Sequence, residues 1–250
     1  MAFCQNQFTF DARLIEPQAW RPGAWCDIKG RCLIVILAKG DEDRVELVIP
    51  TSQSQLVDRL RMFSIGHKVQ FGPVIGARGS FSEFEGASIM PGPEKRFLAL
   101  DNDQAPDQPG LVQRWRRADI KTPITWLQPA SSGQHLPQFL GLEDNGGLSF
   151  TKGCFPGQEV VARVHYLGKV KRHLLGFTLD DHAIQPPAPG ARLIDQAGNE
   201  GGAVVDSMAT ADGAIIGLAV CPVAVQPGST LQTASETQAQ ILKMALPTSL

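Results

Sequence analysis

The sequence predicts an α+β protein in two parts: a mixed sheet-and-helix body over residues 1–173 and a small antiparallel β-barrel over residues 174–250. Two observations lead to this division. Helical periodicity and strand-like apolar runs alternate irregularly in the first part, whereas the second part contains short apolar runs separated by turns rich in glycine, proline and aspartate. A chain of 250 residues is long enough to bury a core in one large unit or two smaller ones.

The elements of the body follow from apolar spacing. Runs of β-branched residues on either side of a polar turn predict a strand hairpin, and apolar residues that recur every three or four positions predict helices. Closely spaced prolines predict irregular structure. The predicted elements are a hairpin at 31–38 and 44–49, helices at 51–63 and 111–120, strands at 69–71, 74–75 and 97–100, and an irregular segment at 122–145.

The barrel is predicted from five short apolar runs at intervals of roughly ten to twenty residues. Turns of glycine, proline and aspartate separate them, and short strands spaced in this way suggest a small antiparallel barrel. The runs are 174–179, 191–194, 203–205, 214–220 and 240–244.

Composition and charge exclude several classes of protein. The formal net charge is −2, so the chain lacks the basic excess that gives strong nonspecific affinity for nucleic acid. Its five cysteines include no C-x-x-C pair and its histidines show no i, i+4 spacing, so neither a disulfide framework nor a metal site is expected. The longest apolar run, 32–38, is too short to cross a bilayer, and no signal peptide is evident. A cytoplasmic protein with reduced thiols is expected.

The most informative segment is the octapeptide Lys152-Gly153-Cys154-Phe155-Pro156-Gly157-Gln158-Glu159. Its glycines and proline predict an irregular loop, and residues 158–164 predict a helix behind it. Cys154 therefore stands near a helix amino end, with Lys152 two positions before it. The helix dipole and the ammonium both stabilise a thiolate, so Cys154 is predicted to be a partly exposed, functional thiol assisted by Lys152.

Each residue of the octapeptide also has a structural interpretation. A free cysteine is most often a small buried hydrophobe, and a lysine is most often a solvated charge. Gln158 is as well suited to capping the helix as to contacting a ligand, and Glu159 is predicted to cap it.

Trp115 is the candidate aromatic contact for a ligand. It lies on the predicted helix 111–120 among Arg114, Arg116 and Arg117. A tryptophan on an amphipathic helix is ordinarily a core residue, but three guanidinium groups also suit a stacked ring system with an anionic tail. The body and the barrel are expected to enclose a pocket that Trp115 lines, with Cys154 near its mouth.

The octapeptide resembles the signature of the YgfZ/GcvT-like proteins, folate-binding relatives of the glycine-cleavage T-protein that support iron–sulfur enzymes. The resemblance implies a GcvT-like fold, tetrahydrofolate or another folate as cofactor, and iron–sulfur client enzymes as partners. It also implies that Trp115 contacts folate and that Cys154 is the motif cysteine. Weaker segments that match the family in the same order are 3–11, 25–31, 60–69, Trp115 with Ile120, and 132–138.

Two features depart from the family pattern. Ile120-Lys121-Thr122-Pro123 stands where T-proteins have an I-E-A-G-like sequence whose glutamate hydrogen-bonds the pterin. An ammonium only donates where a carboxylate accepts, so folate recognition is expected to be altered, weakened or lost. The chain also begins almost on the F-x-Q-x-Q segment, before which family members carry an opening strand, so a shortened member or a late start codon is expected.

Three functions from different classes follow. The preferred one is a folate-binding accessory protein that supports the assembly or repair of iron–sulfur enzymes and affects tRNA modification indirectly. A tetrahydrofolate-dependent aminomethyltransferase ranks second, because such an enzyme needs an acid–base carboxylate near the folate. The third is an RNA- or protein-binding module without folate that uses the basic group within 163–173. Charge clusters are usually solvated faces, so direct nucleic-acid contact is not expected.

Overall fold

The computed structural model describes residues 1–101, 108–122, 124–179, 185–233 and 238–242. Over these residues the chain has the α+β fold that the sequence predicts. Two antiparallel three-stranded sheets and four α-helices are followed by a closed six-stranded barrel.

The first sheet contains the predicted hairpin and one strand that the sequence does not predict. The hairpin pairs β2 (Cys32–Gly40) with β3 (Val45–Val48), and β1 (Arg21–Cys26) adds to the other edge of β2. Proline and glycine lower the strand propensity of β1, yet it is almost wholly buried because it pairs with β2 along its length. Two helices flank this sheet in the sequence, α1 (Ala2–Gln7) before it and α2 (Gln55–Met62) after it.

The second sheet has the order β4-β6-β5 and precedes the third helix. The predicted strand at 97–100 and helix at 111–120 are confirmed, but the strands predicted at 69–71 and 74–75 are wrong because that segment pairs with no strand. Its Phe71 instead packs edge-on against Phe3, with 5.8 Å between ring centroids. The elements are β4 (Gly76–Ser80), β5 (Ser88–Ile89), β6 (Phe97–Asp101) and α3 (Pro109–Lys121).

The barrel closes in the strand order β10-β7-β12-β11-β8-β9. All five predicted runs contribute strands, although residues 243 and 244 of the last run lie outside the described residues. The sequence does not predict β11, which is short and polar. The barrel strands are β7 (Arg172–Leu179), β8 (Arg192–Ile194), β9 (Glu200–Ala209), β10 (Ile215–Pro222), β11 (Thr230–Gln232) and β12 (Gln238–Leu242).

One hydrophobic cluster joins the barrel to the body and positions the octapeptide. Phe155 and Val161, from the octapeptide and from α4 (Gln158–Tyr166), pack with Cys26 of β1 and with Leu218 and Val220 of β10. Each aliphatic or aromatic side chain buried here contributes about 1.5–3 kcal/mol. The helix that follows the octapeptide is therefore fixed between the first sheet and the barrel.

Candidate functional site

The octapeptide is anchored to the turn that joins β1 and β2. Gly157 has φ +77°, and a Cβ at this position would lie 2.3–2.4 Å from backbone atoms of Gly30 and Asp27. Only glycine fits this junction, because neither backbone can move away from a Cβ easily. Phe155 is buried on the other side of the loop. Gly157 thus permits a tight backbone turn, as glycine commonly does, and α4 starts directly after it.

Cys154, directly before Phe155, is exposed, while the other four cysteines are buried. The side chain of Gln158 closes the loop behind it, since Gln158 Oε1 accepts the Phe155 N–H at 3.2 Å. The Gln158 N–H in turn donates to the Phe155 carbonyl at 3.1 Å. Gln158 therefore has a structural partner within the octapeptide, and its contact with a ligand stays a prediction.

Lys152 is a buried charge rather than a solvated one. Its side chain is 7% exposed, and its Nζ donates to the backbone carbonyls of Gln5 and Phe8. The ammonium also lies 5.0 Å from the centroid of the Phe155 ring. Burial lowers the pKa of Lys152 to about 8, and negative charge on Asp11, Cys4, Cys154 and Cys26 opposes that shift.

Lys152 thereby connects the octapeptide to the N-terminal segment, in which sequence reasoning identified no site residue. Gln5 links the two, because its carbonyl accepts from Lys152 while its side-chain Nε2 donates to Asp11 Oδ1 at 3.1 Å. Asp11 is 5% exposed, and Arg13 donates to it at 2.6 Å. This hydrogen bond from Arg13 is the main reason why the pKa of Asp11 falls to about 2. Gln5 and Asp11, two of the polar residues that alternate with aromatic ones in segment 3–11, were the available signal.

We call Lys152, Gln5, Asp11 and Cys154 the Lys152 centre. Hydrogen bonds connect its buried ammonium through Gln5 to a carboxylate of lowered pKa, and the exposed thiol of Cys154 lies two positions further along the octapeptide. A lysine whose pKa is near 8 is able to exchange a proton close to neutral pH. The centre therefore has the components to stabilise a negative charge that develops at the Cys154 loop.

Trp115 lies in a separate region, in the cluster formed by the second sheet and α3. Its ring is half-buried, with the guanidinium of Arg96 4.9 Å from its centroid and Phe81 edge-on at 5.8 Å. A Cβ at Gly79 would lie 2.7–3.0 Å from ring atoms of Trp115, so the indole packs closely on β4. The neighbouring arginines are largely paired, Arg114 with Glu94 and Arg116 with Asp206.

Arg96 is the functional candidate in this region that sequence reasoning missed. It is completely buried, and its Nη1 donates to Asp119 Oδ1 at 2.6 Å. Trp126 Nε1 donates to the other oxygen of Asp119 at 3.0 Å. Burial raises the pKa of Asp119, against the opposing effect of Arg96. Among the described residues, Arg96 Nε and Nη2 have no hydrogen-bond partner.

A cleft of about 490 Å³ lies beside α3, between the body and the barrel. Arg116 Nη2 crosses it to Asp206 Oδ1 at 3.1 Å and to the Ser207 carbonyl at 3.2 Å. Burial raises the pKa of Asp206. Trp115 and Cys154 are absent from its lining, so this cleft is not the Trp115-lined pocket with Cys154 near its mouth that the sequence predicts. Its lining consists of Arg116, Gln128, Pro129, Ala130, Pro186, Pro187, Ala188, Pro189, Asp206 and Ser207.

Comparison with known proteins decides the family. The tRNA-modifying protein YgfZ of Colwellia psychrerythraea is 30% identical over 220 residues, covering 74% of this chain and 67% of the relative. The chain belongs to the YgfZ family. The glycine cleavage system aminomethyltransferase T of Bartonella henselae has the same fold, with a TM-score of 0.62 at 15% identity over 98% of this chain and 80% of that chain. No family model matches the chain.

Membership of the YgfZ family confirms the resemblance that was based on the octapeptide. The structure also shows where Lys121, the departure from the family pattern, lies. Lys121 is exposed in the last turn of α3, whereas the carboxylate two positions before it, Asp119, is buried and paired with Arg96. This YgfZ-family chain thus has a carboxylate on α3 whose two oxygens are already engaged by Arg96 and Trp126.

The basic group near the end of α4 is partly neutralised. His165 Nδ1 lies 2.7 Å from Glu143 Oε1 and stacks on Phe150 with 3.9 Å between ring centroids, and Arg172 pairs with Glu200 at 3.0 Å. The described residues show neither of two other kinds of feature. Over the residues that the structure describes, no group of three or more histidine, cysteine or acidic side chains is arranged to bind a metal. No described helix is long and apolar enough to span a membrane.

Proposed function

We propose that this YgfZ-family chain is a folate-binding accessory protein that supports the assembly or repair of iron–sulfur enzymes and affects tRNA modification indirectly. The observation that carries the proposal is the octapeptide, whose Lys152 is hydrogen-bonded to the N-terminal segment and whose Cys154 is exposed. A folded, surface-accessible thiol beside a buried ammonium suits transient contact with a client protein. The curated relative is itself named for tRNA modification.

The cleft supports a folate ligand by its size and chemistry. Its volume of about 490 Å³ lies within the range of small-molecule sites. Four prolines offer flat apolar walls for aromatic rings. Arg116 and Asp206 pair with each other across the cleft, and a folate that separates them gains a carboxylate for its N–H donors and a guanidinium for its carboxylate tail. Trp115 precedes Arg116 on α3, and its ligand contact is part of the proposal.

Folate binding is tested by titrating the chain with tetrahydrofolate and following tryptophan fluorescence. We expect saturable binding that Arg116→Gln weakens at least tenfold, because this change removes a charge-assisted hydrogen bond to the tail. Trp115→Phe separates quenching of Trp115 from quenching of the other tryptophans. Arg163→Gln, an arginine on α4 that does not line the cleft, is the matched control and should bind as tightly as the unchanged chain. Absence of saturable binding would refute the ligand assignment.

The accessory role is tested in a bacterium whose own YgfZ gene is deleted. Expression of this chain is expected to restore methylthiolation of tRNA by iron–sulfur enzymes, measured by mass spectrometry of nucleosides. Cys154→Ala is expected to abolish the restoration, while Cys221→Ala, which removes a buried thiol in the barrel, should retain it. Full restoration by Cys154→Ala would remove the functional role of this thiol.

An aminomethyltransferase is the competing function, and it is favoured only by the fold shared with the Bartonella henselae structure. Such an enzyme needs a carboxylate free to act on the folate nitrogen. Asp119 is engaged by Arg96 and Trp126, and Lys121 carries the wrong charge. Production of methylene-tetrahydrofolate from aminomethyl-lipoyl protein by the purified chain would reverse this ranking.

A further inference from the structure

Cys26 and Cys32 form a close pair of buried thiols that the proposed function does not use. They face each other across the hairpin of β1 and β2, where they are Cα partners at the end of the ladder. Their Sγ atoms lie 3.8 Å apart. Because the sulfurs of a disulfide are about 2.0 Å apart, a modest rotation of both side chains brings them to bonding distance.

The backbone around the pair suits a cross-strand disulfide. The Cys32 N–H donates to the His135 carbonyl at 2.8 Å, and the Cys32 carbonyl accepts the Gly133 N–H at 2.8 Å. Both polar groups of Cys32 thus point away from β1, which makes Cys26 and Cys32 a non-hydrogen-bonded pair. The ladder register shifts between Trp25 and Cys26, so the pair lies beside an irregularity, and the Sγ–Sγ distance of 3.8 Å is what brings the thiols within reach of a disulfide.

Both thiols are buried, Cys26 at 2% and Cys32 at 0% exposure, in the cluster that joins the barrel to the body. Burial raises the pKa of the Cys32 thiol. The turn at 27–31 lies next to the pair, and its Ile28 is 84% exposed. Local opening of this short turn would admit an oxidant as small as a peroxide.

We propose that Cys26 and Cys32 are a redox modification site that hydrogen peroxide converts to an intramolecular disulfide. The Cys26 sulfur attacks one peroxide oxygen and becomes a sulfenic acid, and the other oxygen leaves as water. The Cys32 sulfur then attacks the sulfenic sulfur, the S–S bond forms, and the hydroxyl leaves with the thiol proton as a second water. Two thiols are oxidised by two electrons in total, and one peroxide is reduced.

The disulfide would restrain the turn on which the octapeptide rests. Gly157 packs on backbone atoms of Gly30 and Asp27, and the side chain of Val161 borders Gly30. Oxidation therefore reaches the first turn of α4 through backbone contacts, without any folate. The inference goes beyond the proposed function and does not depend on it.

Peptide mapping tests the proposal on the folded full-length chain carrying Cys154→Ser, which removes the exposed thiol. Trypsin cleaves after Arg13, Lys29, Arg31 and Lys39 but not before Pro22, so Cys26 and Cys32 fall in separate peptides, 14–29 and 32–39. After treatment with hydrogen peroxide we expect these peptides to be joined, with a loss of two thiols that dithiothreitol reverses. Absence of the joined peptides, or a bridge from Cys26 to Cys4, would overturn the proposal.

Two variants and one further measurement complete the test. Cys32→Ala is expected to leave a sulfenic acid at Cys26 that dimedone traps, whereas Cys221→Ala, another buried thiol, should still form the joined peptides. Hydrogen exchange at the amides of 155–161 is expected to slow in the oxidised chain. Unchanged exchange would overturn the coupling to α4. Should Cys32→Ala fail to fold, the peptide map of the Cys154→Ser chain still decides the proposal.

Discussion

At the scale of single residues, Lys152 is the side chain on which the site depends most. A buried ammonium loses its hydration, and only strong acceptors compensate for that loss. The carbonyls of Gln5 and Phe8 provide two of them, so the same contacts that make the lysine tolerable also attach the N-terminal segment to the octapeptide. The buried charge of Lys152 in the octapeptide thus has a structural reason.

Replacement of Lys152 by methionine keeps much of the side-chain volume and removes the ammonium. The carbonyls of Gln5 and Phe8 then lose this donor, and we expect the free energy of unfolding to fall by about 1–3 kcal/mol. Urea denaturation measures the change. Lys29→Met, at an exposed lysine, is the control and should be nearly neutral. Equal stability of both variants would contradict the role of Lys152.

The lowered pKa of Lys152 also predicts how stability depends on pH. The folded chain releases this proton near pH 8, whereas the unfolded chain retains it up to about pH 10.5. Between these values the unfolded state binds more protons, so the contribution of Lys152 to the free energy of unfolding rises with pH. Urea denaturation of the unchanged chain should show this rise relative to Lys152→Met. A constant difference between the two across this interval would argue against the shifted pKa.

Cys154 is expected to react first of the five cysteines because it alone is exposed. Timed alkylation at neutral pH, followed by peptide mass spectrometry, gives the order of labelling. Cys4, Cys26, Cys32 and Cys221 should follow only as the protein opens. Labelling of any buried cysteine before Cys154 would show that the loop is closed in solution.

At the scale of elements, the start of α4 is set by backbone contact rather than by side-chain capping. Gly157 is the N-cap and is in the left-handed region, and no side chain caps the helix there. The glycine allows the octapeptide to turn directly above Gly30 and Asp27. The geometry of the Cys154 loop therefore depends on the hairpin turn as much as on its own residues.

Substitution of Gly157 by alanine is expected to destabilise the chain by at least about 2 kcal/mol. The left-handed conformation disfavours alanine, and the new Cβ would meet backbone atoms at 2.3–2.4 Å. Gly153→Ala provides a matched control within the same loop, because a Cβ at that position would have no other atom within 4 Å. Thermal unfolding of both variants gives the comparison, and similar midpoints would disprove the backbone contact.

Which elements could be predicted from sequence depends on the range of the forces that form them. Helices α3 and α4 follow from local periodicity, and the hairpin of β2 and β3 follows from apolar runs beside a turn. Strand β1 contains proline and glycine and is a strand only because β2 pairs with it. The segment 69–75 shows the converse, because Val69 and Phe71 pack against a core cluster although the segment has no strand to pair with.

The residues of the candidate site likewise fall into those set by local sequence and those set by long-range contacts. The exposed loop cysteine and the helix behind it were predictable, since glycine and proline act locally. The burial of Lys152 was not, because it depends on carbonyls about 145 positions away along the chain. The contact between Arg96 and the Trp115 ring was likewise not predictable from sequence, because the packing of β6 against α3 brings the two residues together.

At the scale of the whole molecule, body and barrel share hydrophobic core. Phe155 and Val161 from one side and Leu218 and Val220 from the other belong to one buried cluster. One cluster spans the proposed division at residues 173 and 174, while the barrel also has a cluster of its own that includes Leu175, Phe177 and Leu193. A chain of this kind is expected to unfold cooperatively, because loss of either part exposes apolar surface of the other.

This coupling can be measured because all four tryptophans lie in the body, at positions 20, 25, 115 and 126. Leu218 is a barrel residue that is 1% exposed in the shared cluster, so Leu218→Ala is expected to lower the free energy of unfolding by about 2–5 kcal/mol. If the core is shared, the tryptophan fluorescence of the body should shift its urea midpoint together with the circular dichroism of the whole chain. Val223→Ala, at a side chain that is 46% exposed, should shift neither signal. A fluorescence midpoint that stays fixed while the circular dichroism becomes biphasic would show that body and barrel unfold as independent units.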